Sequence, residues 1–143
     1  MPKPYALLVD PNLYDLKGAT GALEHDTWTV SSRKAYPGDR IIFWQTLDRT
    51  GKRGIVALGV VTEEARERTA LPESTSFFRG AIAAGHLRLR LVVRYVMPPA
   101  LPLWLDEDTT GTLVGLTVAR GRGNHLFSVT DEQWDAIVAM VSG

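Results

Sequence analysis

The sequence predicts an α+β domain, a small twisted β-barrel of about five or six strands with helices on its flanks. Three observations lead there. Residues 40–46 and 53–62 are apolar, strand-prone runs joined by a short polar turn containing Gly51. Residues 86–97 alternate strictly: Leu87, Leu89, Leu91, Val93, Tyr95 and Met97 share one face of a strand, and Arg88, Arg90 and Arg94 share the other. Near the end, Thr130-Asp131-Glu132-Gln133 spells a helix capping box, and Trp134, Ile137, Val138 and Val141 follow at helical spacing. The 143 residues give room for one domain, 1–143, with a modest core and little space for a second.

The elements follow in order. Residues 5–9 are a buried first strand ended by Asp10-Pro11. Residues 12–23 hold a short helix with Asn12 as N-cap and Leu13, Leu16 and Leu23 facing the core; Gly18 and Gly21 weaken it. Residues 27–31 are extended. The run 53–62 is apolar at nearly every position, as a strand buried on both faces would be. Gly54 and Gly59 mark a bulge or sharp bend of the kind a closed barrel needs. Residues 63–85 read as a long polar connection carrying Ser74-Thr75-Ser76-Phe77-Phe78 and a short helix up to Ala84. Pro98-Pro99 stops the alternating strand, and residues 101–105 form a short apolar stretch with Trp104. Residues 110–118 fit either a strand or a helical turn. Gly121-Arg122-Gly123-Asn124-His125 is a loop, and residues 126–129 a short strand before the final helix. No internal repeat, low-complexity segment or interdomain linker is present.

Composition narrows the function. Lys+Arg and Asp+Glu stand at 16 each, so no global positive field exists. Strong non-specific binding to nucleic acid is disfavoured, while a local basic face stays open. The absence of cysteine excludes disulfides and thiolate metal sites. His25, His86 and His125 lie far apart without ligand spacing, so no metal and no cofactor is expected. No apolar run approaches the roughly 18 residues of a membrane span. Met1-Pro2-Lys3-Pro4 is not followed by a signal-peptide core. The expectation is a cytoplasmic protein that does not engage membranes. No catalytic Ser-His-Asp order stands out, Asp106-Glu107-Asp108 reads as a solvated acidic loop, and no Gly-rich phosphate fingerprint follows a strand. A non-enzyme is expected.

The stretch from Trp28 to Val61 is the most informative. Trp28-Thr29-Val30-Ser31-Ser32 leads into Pro37-Gly38-Asp39-Arg40-Ile41-Ile42-Phe43-Trp44, and Gly54-Ile55-Val56-Ala57-Leu58-Gly59-Val60-Val61 returns. Phe127-Ser128-Val129-Thr130 then enters the last helix, with Glu132 and Trp134 following. In this order the motifs resemble the EVE domain of the PUA-like group, a relative of the YTH domain, over most of the chain. The resemblance implies a PUA-like fold and a non-enzymatic reader of a modified nucleobase in DNA or RNA. By family analogy the first base is 5-methylcytosine or 5-hydroxymethylcytosine in DNA, with modified RNA close behind. The resemblance places Trp28 as one aromatic wall, beside Thr29. Asp10 and Asn12 fall where such domains read the base edge. Phe77 is the first choice for a second wall, with Phe78 and Trp104 as alternatives. The sequence departs from the family where its GDR strand ends Phe43-Trp44-Gln45-Thr46, in place of a Tyr-x-Ser-like end. An effector protein on a separate chain is an expected partner.

The residue types suit that task. Extruding a base costs a few kcal/mol. Stacking on an aromatic side chain returns on the order of 1–3 kcal/mol. Ser31 and Ser32 add polar groups near Trp28, while Arg33, Lys34, Arg120, Arg122 and Asn124 can hold flanking phosphates from loops. Plainer roles exist for several residues. Asn12 fits a helix N-cap as well as a ligand contact, and Asp10 fits a turn before Pro11. Trp44 reads as core and Trp134 as helix packing. The Arg88/Arg90/Arg94 stripe reads as a solvated face, and Gly121-Arg122-Gly123 as a surface turn. Two other functions remain: an RNA-binding PUA-like module indifferent to modification, and a regulator that binds a small molecule or nucleotide.

Overall fold

Alternation in the first strands fixes which side chains go to which face of the sheet. The computed structural model describes residues 2–46, 51–79 and 85–142. Strand β1 (Pro4–Val9) and strand β3 (Arg40–Gln45) run parallel, with Tyr5 beside Ile41 and Leu7 beside Phe43. Tyr5, Leu7, Val9, Ile41 and Phe43 enter one core cluster, and Ala6, Ile42 and Trp44 enter a second on the opposite face. A period of two in a sheet covered on both sides produces this split.

The remaining elements are helix α1 (Leu16–Ala22), strands β2 (His25–Thr29), β4 (Gly54–Arg68), β5 (Arg88–Val96), β6 (Leu103–Trp104) and β7 (Phe127–Ser128), and helix α2 (Asp131–Ser142). Short 3-10 turns lie at Pro72–Phe77, Leu105–Glu107 and Thr117–Arg120. The mixed sheet has seven strands in the order β2-β5-β4-β3-β1-β7, with β6 pairing to β4. The expected closed barrel is therefore corrected to an open sheet. Its edges, β2 and β7, form no ladder with each other among the described residues. Beyond them a backbone bond links Ser31 N to Asn124 O at 2.9 Å.

Strand β4 bends the sheet. Phe43 pairs with Ala57 and Trp44 with Ile55, which leaves Val56 as an extra residue. Further slips fall between Val61 and Glu63 and between Glu63 and Arg66. The predicted bulge glycines do a different job. A Cβ on Gly59 would meet Arg94 O and a Phe43 ring carbon, each at 3.1 Å, and one on Gly54 would enter the Leu103 carbonyl. Both glycines admit close neighbours. Strand β4 also continues through 63–68, which composition marks as loop. Glu63, Glu64, Arg66 and Glu67 are exposed there, while Ala65 is buried and Arg68 partly so.

Other expectations shift for local reasons. Helix α1 is capped by Asp15, whose carboxylate accepts from Gly18 N at 3.1 Å. Asn12 instead donates its backbone N–H to Asp10 Oδ1, and Leu13 is exposed. Residues 110–116 form turns that bury Leu113 and Leu116 in the second core. In β5, Leu91, Val93 and Tyr95 are buried as the alternation implies, but Arg90 is buried too, and Leu87 and Met97, which flank the strand, are exposed. The capping box forms as read: Thr130 Oγ1 accepts from Gln133 N, and Gln133 Oε1 accepts from Thr130 N, each at 3.0 Å. Helix α2 then packs Trp134, Ile137, Met140 and Val141 on the second core. The turn predicted before Arg53 and the helix predicted up to Ala84 lie wholly or partly outside the described residues. Among the described residues, no helix is long and apolar enough to cross a membrane.

Candidate functional site

Because the sheet stays open, a cleft of about 710 Å³ lies at its edge, within the roughly 300–1,000 Å³ usual for ligand sites. Four segments line it: the end of β1 with Asp10, the β2 stretch Thr27-Trp28-Thr29, Arg88 and Arg90 of β5, and the loop Gly121-Arg122-Gly123-Asn124. Leu13, Tyr14, Thr46, Phe78 and His86 complete the wall. Tyr14 and Phe78 arrive together because residues 13–15 pair with 77–79: Asp15 N donates to Phe77 O at 2.7 Å and Arg79 N to Leu13 O at 2.8 Å. Their rings meet edge-on, with centroids 4.8 Å apart.

Trp28 is half-buried and held on several sides. Its ring lies 5.3 Å from that of Tyr14, edge-on, and 5.0 Å from that of Phe43. Its Nε1 donates to Tyr95 Oη at 3.1 Å. Tyr95 Oη and Tyr14 Oη both donate to Asp26 Oδ2 at 2.6 Å, and Thr27 N donates to Asp26 Oδ1 at 2.8 Å. Asp26 is 1% exposed. Burial raises its pKa above the ordinary carboxylate value, while the bonds from Tyr14, Tyr95 and Thr27 pull it back. Burial and the Asp26 charge push both tyrosine hydroxyls far up, so both stay protonated donors.

The opposite flank of the cleft is basic. Arg90 is 4% exposed; burial, and then the charge of Arg88, lower its pKa, and Asp26 counters this. Arg88 and Arg122 are exposed. Asp10 is the one carboxylate among the described lining residues.

Of the residues singled out by sequence, Asp10, Trp28, Thr29, Arg122 and Asn124 come together in this cleft. Ser31 stands just outside, its Oγ 3.2 Å from His125 Nδ1. Asn12, Ser32, Phe77, Arg33, Lys34 and Arg120 do not line it. Phe77 packs edge-on against Tyr14 at 6.5 Å, and Ser32 Oγ is buried without a partner among the described residues. Arg33 donates to Ala65 O at 2.8 Å, Lys34 Nζ lies 5.3 Å from the centre of the Tyr5 ring, and Arg120 donates to Val114 O at 2.9 Å. Trp104 lines a second cleft of about 450 Å³ that shares Val9 and Tyr14 with the first. Sequence reading missed Tyr14, Asp26, Tyr95 and the cleft role of Arg90. One signal existed: Asp26 lies two residues before Trp28 in an extended stretch, hence on the same face. No group of three or more His, Cys, Asp or Glu able to hold a metal occurs among the described residues.

An open, bent mixed sheet with helices on its flanks and a cleft at its edge is a PUA-like α+β arrangement. Residues 22–140 match the EVE domain family, and the chain belongs to it. A hypothetical protein from Leishmania major superposes with a TM-score of 0.68 at 16% identity, over 99% of this chain and 96% of the other. Human THYN1 protein, in complex with 5-methylcytosine-containing DNA, superposes with a TM-score of 0.67 at 13% identity, over 99% and 98%. A Pseudomonas putida protein follows at 0.59 and 21% identity, over 96% and 99%. No curated protein matches this sequence.

Proposed function

We propose that this domain is a non-enzymatic reader of a modified nucleobase, which it takes out of the nucleic-acid stack and seats beside Trp28. The observation that carries the reading is the convergence in one cleft of a half-buried indole, a polar edge from Asp10 and Thr29, and a basic flank. A flipped base needs all three: a stacking wall, groups that bond its edge, and cations for its backbone. Membership of the EVE family supports a binding role. A structural neighbour solved with 5-methylcytosine-containing DNA supports testing cytosine modification first. Cleavage or modification of the bound strand would then belong to an effector on another chain.

The test is fluorescence anisotropy at fixed, near-physiological salt. DNA and RNA oligonucleotides carry one 5-methylcytosine, one 5-hydroxymethylcytosine, one N6-methyladenine or no modification. Preference for one modified strand, lost in Trp28→Ala with the fold retained by circular dichroism, supports the reading. Equal weak binding to all strands overturns it for these bases. The even charge balance, 16 against 16, favours the small-molecule reading in that event, seen as thermal stabilisation by a free nucleoside.

A further inference from the structure

The Trp28 cleft holds more positive charge than its neighbours neutralise. On β4, Glu63 pairs with Arg66 at 3.0 Å and with Arg68 at 3.2 Å. Across the ladder, Arg66 stands opposite Arg90 and Arg68 opposite Arg88. Among the described residues, neither Arg88 nor Arg90 has an ion-pair partner.

Arg90 is the unusual one, because it is 4% exposed. Its Nε donates to Arg68 O at 3.1 Å and its Nη2 to His86 O at 3.5 Å. Those bonds fix the plane of the guanidinium and leave Nη1 without a partner among the described residues. Burying a guanidinium whose hydrogen-bond partners are two backbone carbonyls is costly, and an anion at its remaining N–H groups would offset that cost. Thr27, on the neighbouring strand, also lines the cleft, and its Oγ1 is buried beneath the surface without a partner among the described residues. The β2–β5 register pairs Thr29 with Arg90 and Trp28 with Leu91, neighbouring positions that point to opposite faces, and the cleft at the sheet edge is lined by Trp28, Thr29 and Arg90 alike.

We propose that Arg90, with Arg88 and Arg122, forms an anion subsite that takes the phosphate attached to the base held at Trp28. This rests on the base-reading role and deepens it: one cleft holds the base by stacking and its phosphate by a preset guanidinium. Arginine's fork and delocalised charge suit a phosphate oxygen pair better than a lysine would.

The test is calorimetric binding of 5-methyl-2′-deoxycytidine, its 5′-monophosphate and unmodified 2′-deoxycytidine 5′-monophosphate to the whole chain. The monophosphate should bind roughly tenfold or more tightly than its nucleoside. Arg90→Gln should abolish that gain, lowering affinity for the monophosphate far more than for the nucleoside. Should Arg90→Gln fail to fold, the exposed Arg88→Gln and Arg122→Gln variants each lose several-fold of the gain. Equal affinity for nucleoside and monophosphate, or no binding of either, overturns the subsite. Equal binding of the two monophosphates keeps the subsite and overturns modified-base reading. Single-stranded oligonucleotides with one neutral methylphosphonate linkage separate a strand phosphate from a free nucleotide. A loss confined to the linkage beside the modified base assigns the subsite to nucleic acid; no loss at any linkage, with the mononucleotide gain intact, assigns it to free nucleotides.

Discussion

The indole Nε1 of Trp28 donates a 3.1 Å hydrogen bond to the hydroxyl of Tyr95, and that hydroxyl donates onward to Asp26 at 2.6 Å. A side chain two residues before Trp28 on the same strand therefore helps orient the indole through a residue of β5. Tyr14 closes the network from the other side, donating to the same carboxylate oxygen. The indole is thus held before any ligand arrives, and ordering it costs the ligand little.

Tyr95→Phe is the clean probe of that arrangement. We predict a loss of about 1–3 kcal/mol in stability, because the change removes one donor to buried Asp26 and the acceptor of the Trp28 N–H. Tryptophan emission should shift, and affinity for the preferred oligonucleotide should fall several-fold while base preference is kept. Unchanged emission and affinity in a destabilised variant would show that Tyr95 supports the core alone.

Asp26 should leave a signature in the pH dependence of stability. Its carboxyl titrates near 3.8 in the unfolded chain, and burial raises that value in the folded protein. The folded state holds the proton more tightly, so the stabilisation from this group is complete below about pH 3.8 and is lost as pH rises through the folded value. We predict that the unfolding free energy of wild type, relative to Asp26→Asn, declines as pH is raised from 3.8. Urea titrations of both proteins across that range measure it. A relative stability that climbs with pH would mean that the three donors outweigh burial.

The strand pair, the inward residues of β5 and the final capped helix were legible because each rests on local periodicity or on a motif a few residues long. Barrel closure was not legible, because it depends on whether β2 and β7 are long enough to meet. The outer half of β4 was hidden by its charges, since a strand with one face in water carries the composition of a loop. Arg90 read as solvated because alternation places it opposite the core face. Its burial depends on the carbonyls of Arg68 and His86, which no sequence pattern locates. In the site, Trp28 was visible through an ordered set of motifs. Tyr14 was not, and Phe78 stood only as an alternative to Phe77, because both reach the cleft through pairing across a long sequence gap.

The capping box offers a test of the fold away from the cleft. Thr130 and Gln133 satisfy each other's backbone donors at 3.0 Å, at the start of the helix that covers the second core. We predict that Thr130→Ala costs about 1 kcal/mol in urea unfolding, leaving ligand affinity unchanged. Thr130→Ser should recover most of the loss. A Thr130→Ala variant as stable as wild type would mean that helix packing alone sets the end of α2.

Gly121 ties the second core to the mouth of the cleft. Its φ of −86° suits any residue, so glycine is needed there for space alone. A Cβ at this position would enter the ring of Phe127, whose own ring meets His125 edge-on at 5.8 Å. The ring cannot yield freely, because Phe127 packs on the second core. We predict that Gly121→Ala costs about 1–3 kcal/mol through overpacking and displaces Arg122 and Asn124 from the cleft wall. Differential scanning calorimetry should show a lower Tm, and oligonucleotide affinity should fall with it. Adding Phe127→Leu makes room for the methyl group and should restore part of both losses. A Gly121→Ala protein that melts and binds like wild type would show that the loop and β7 move independently of the cleft.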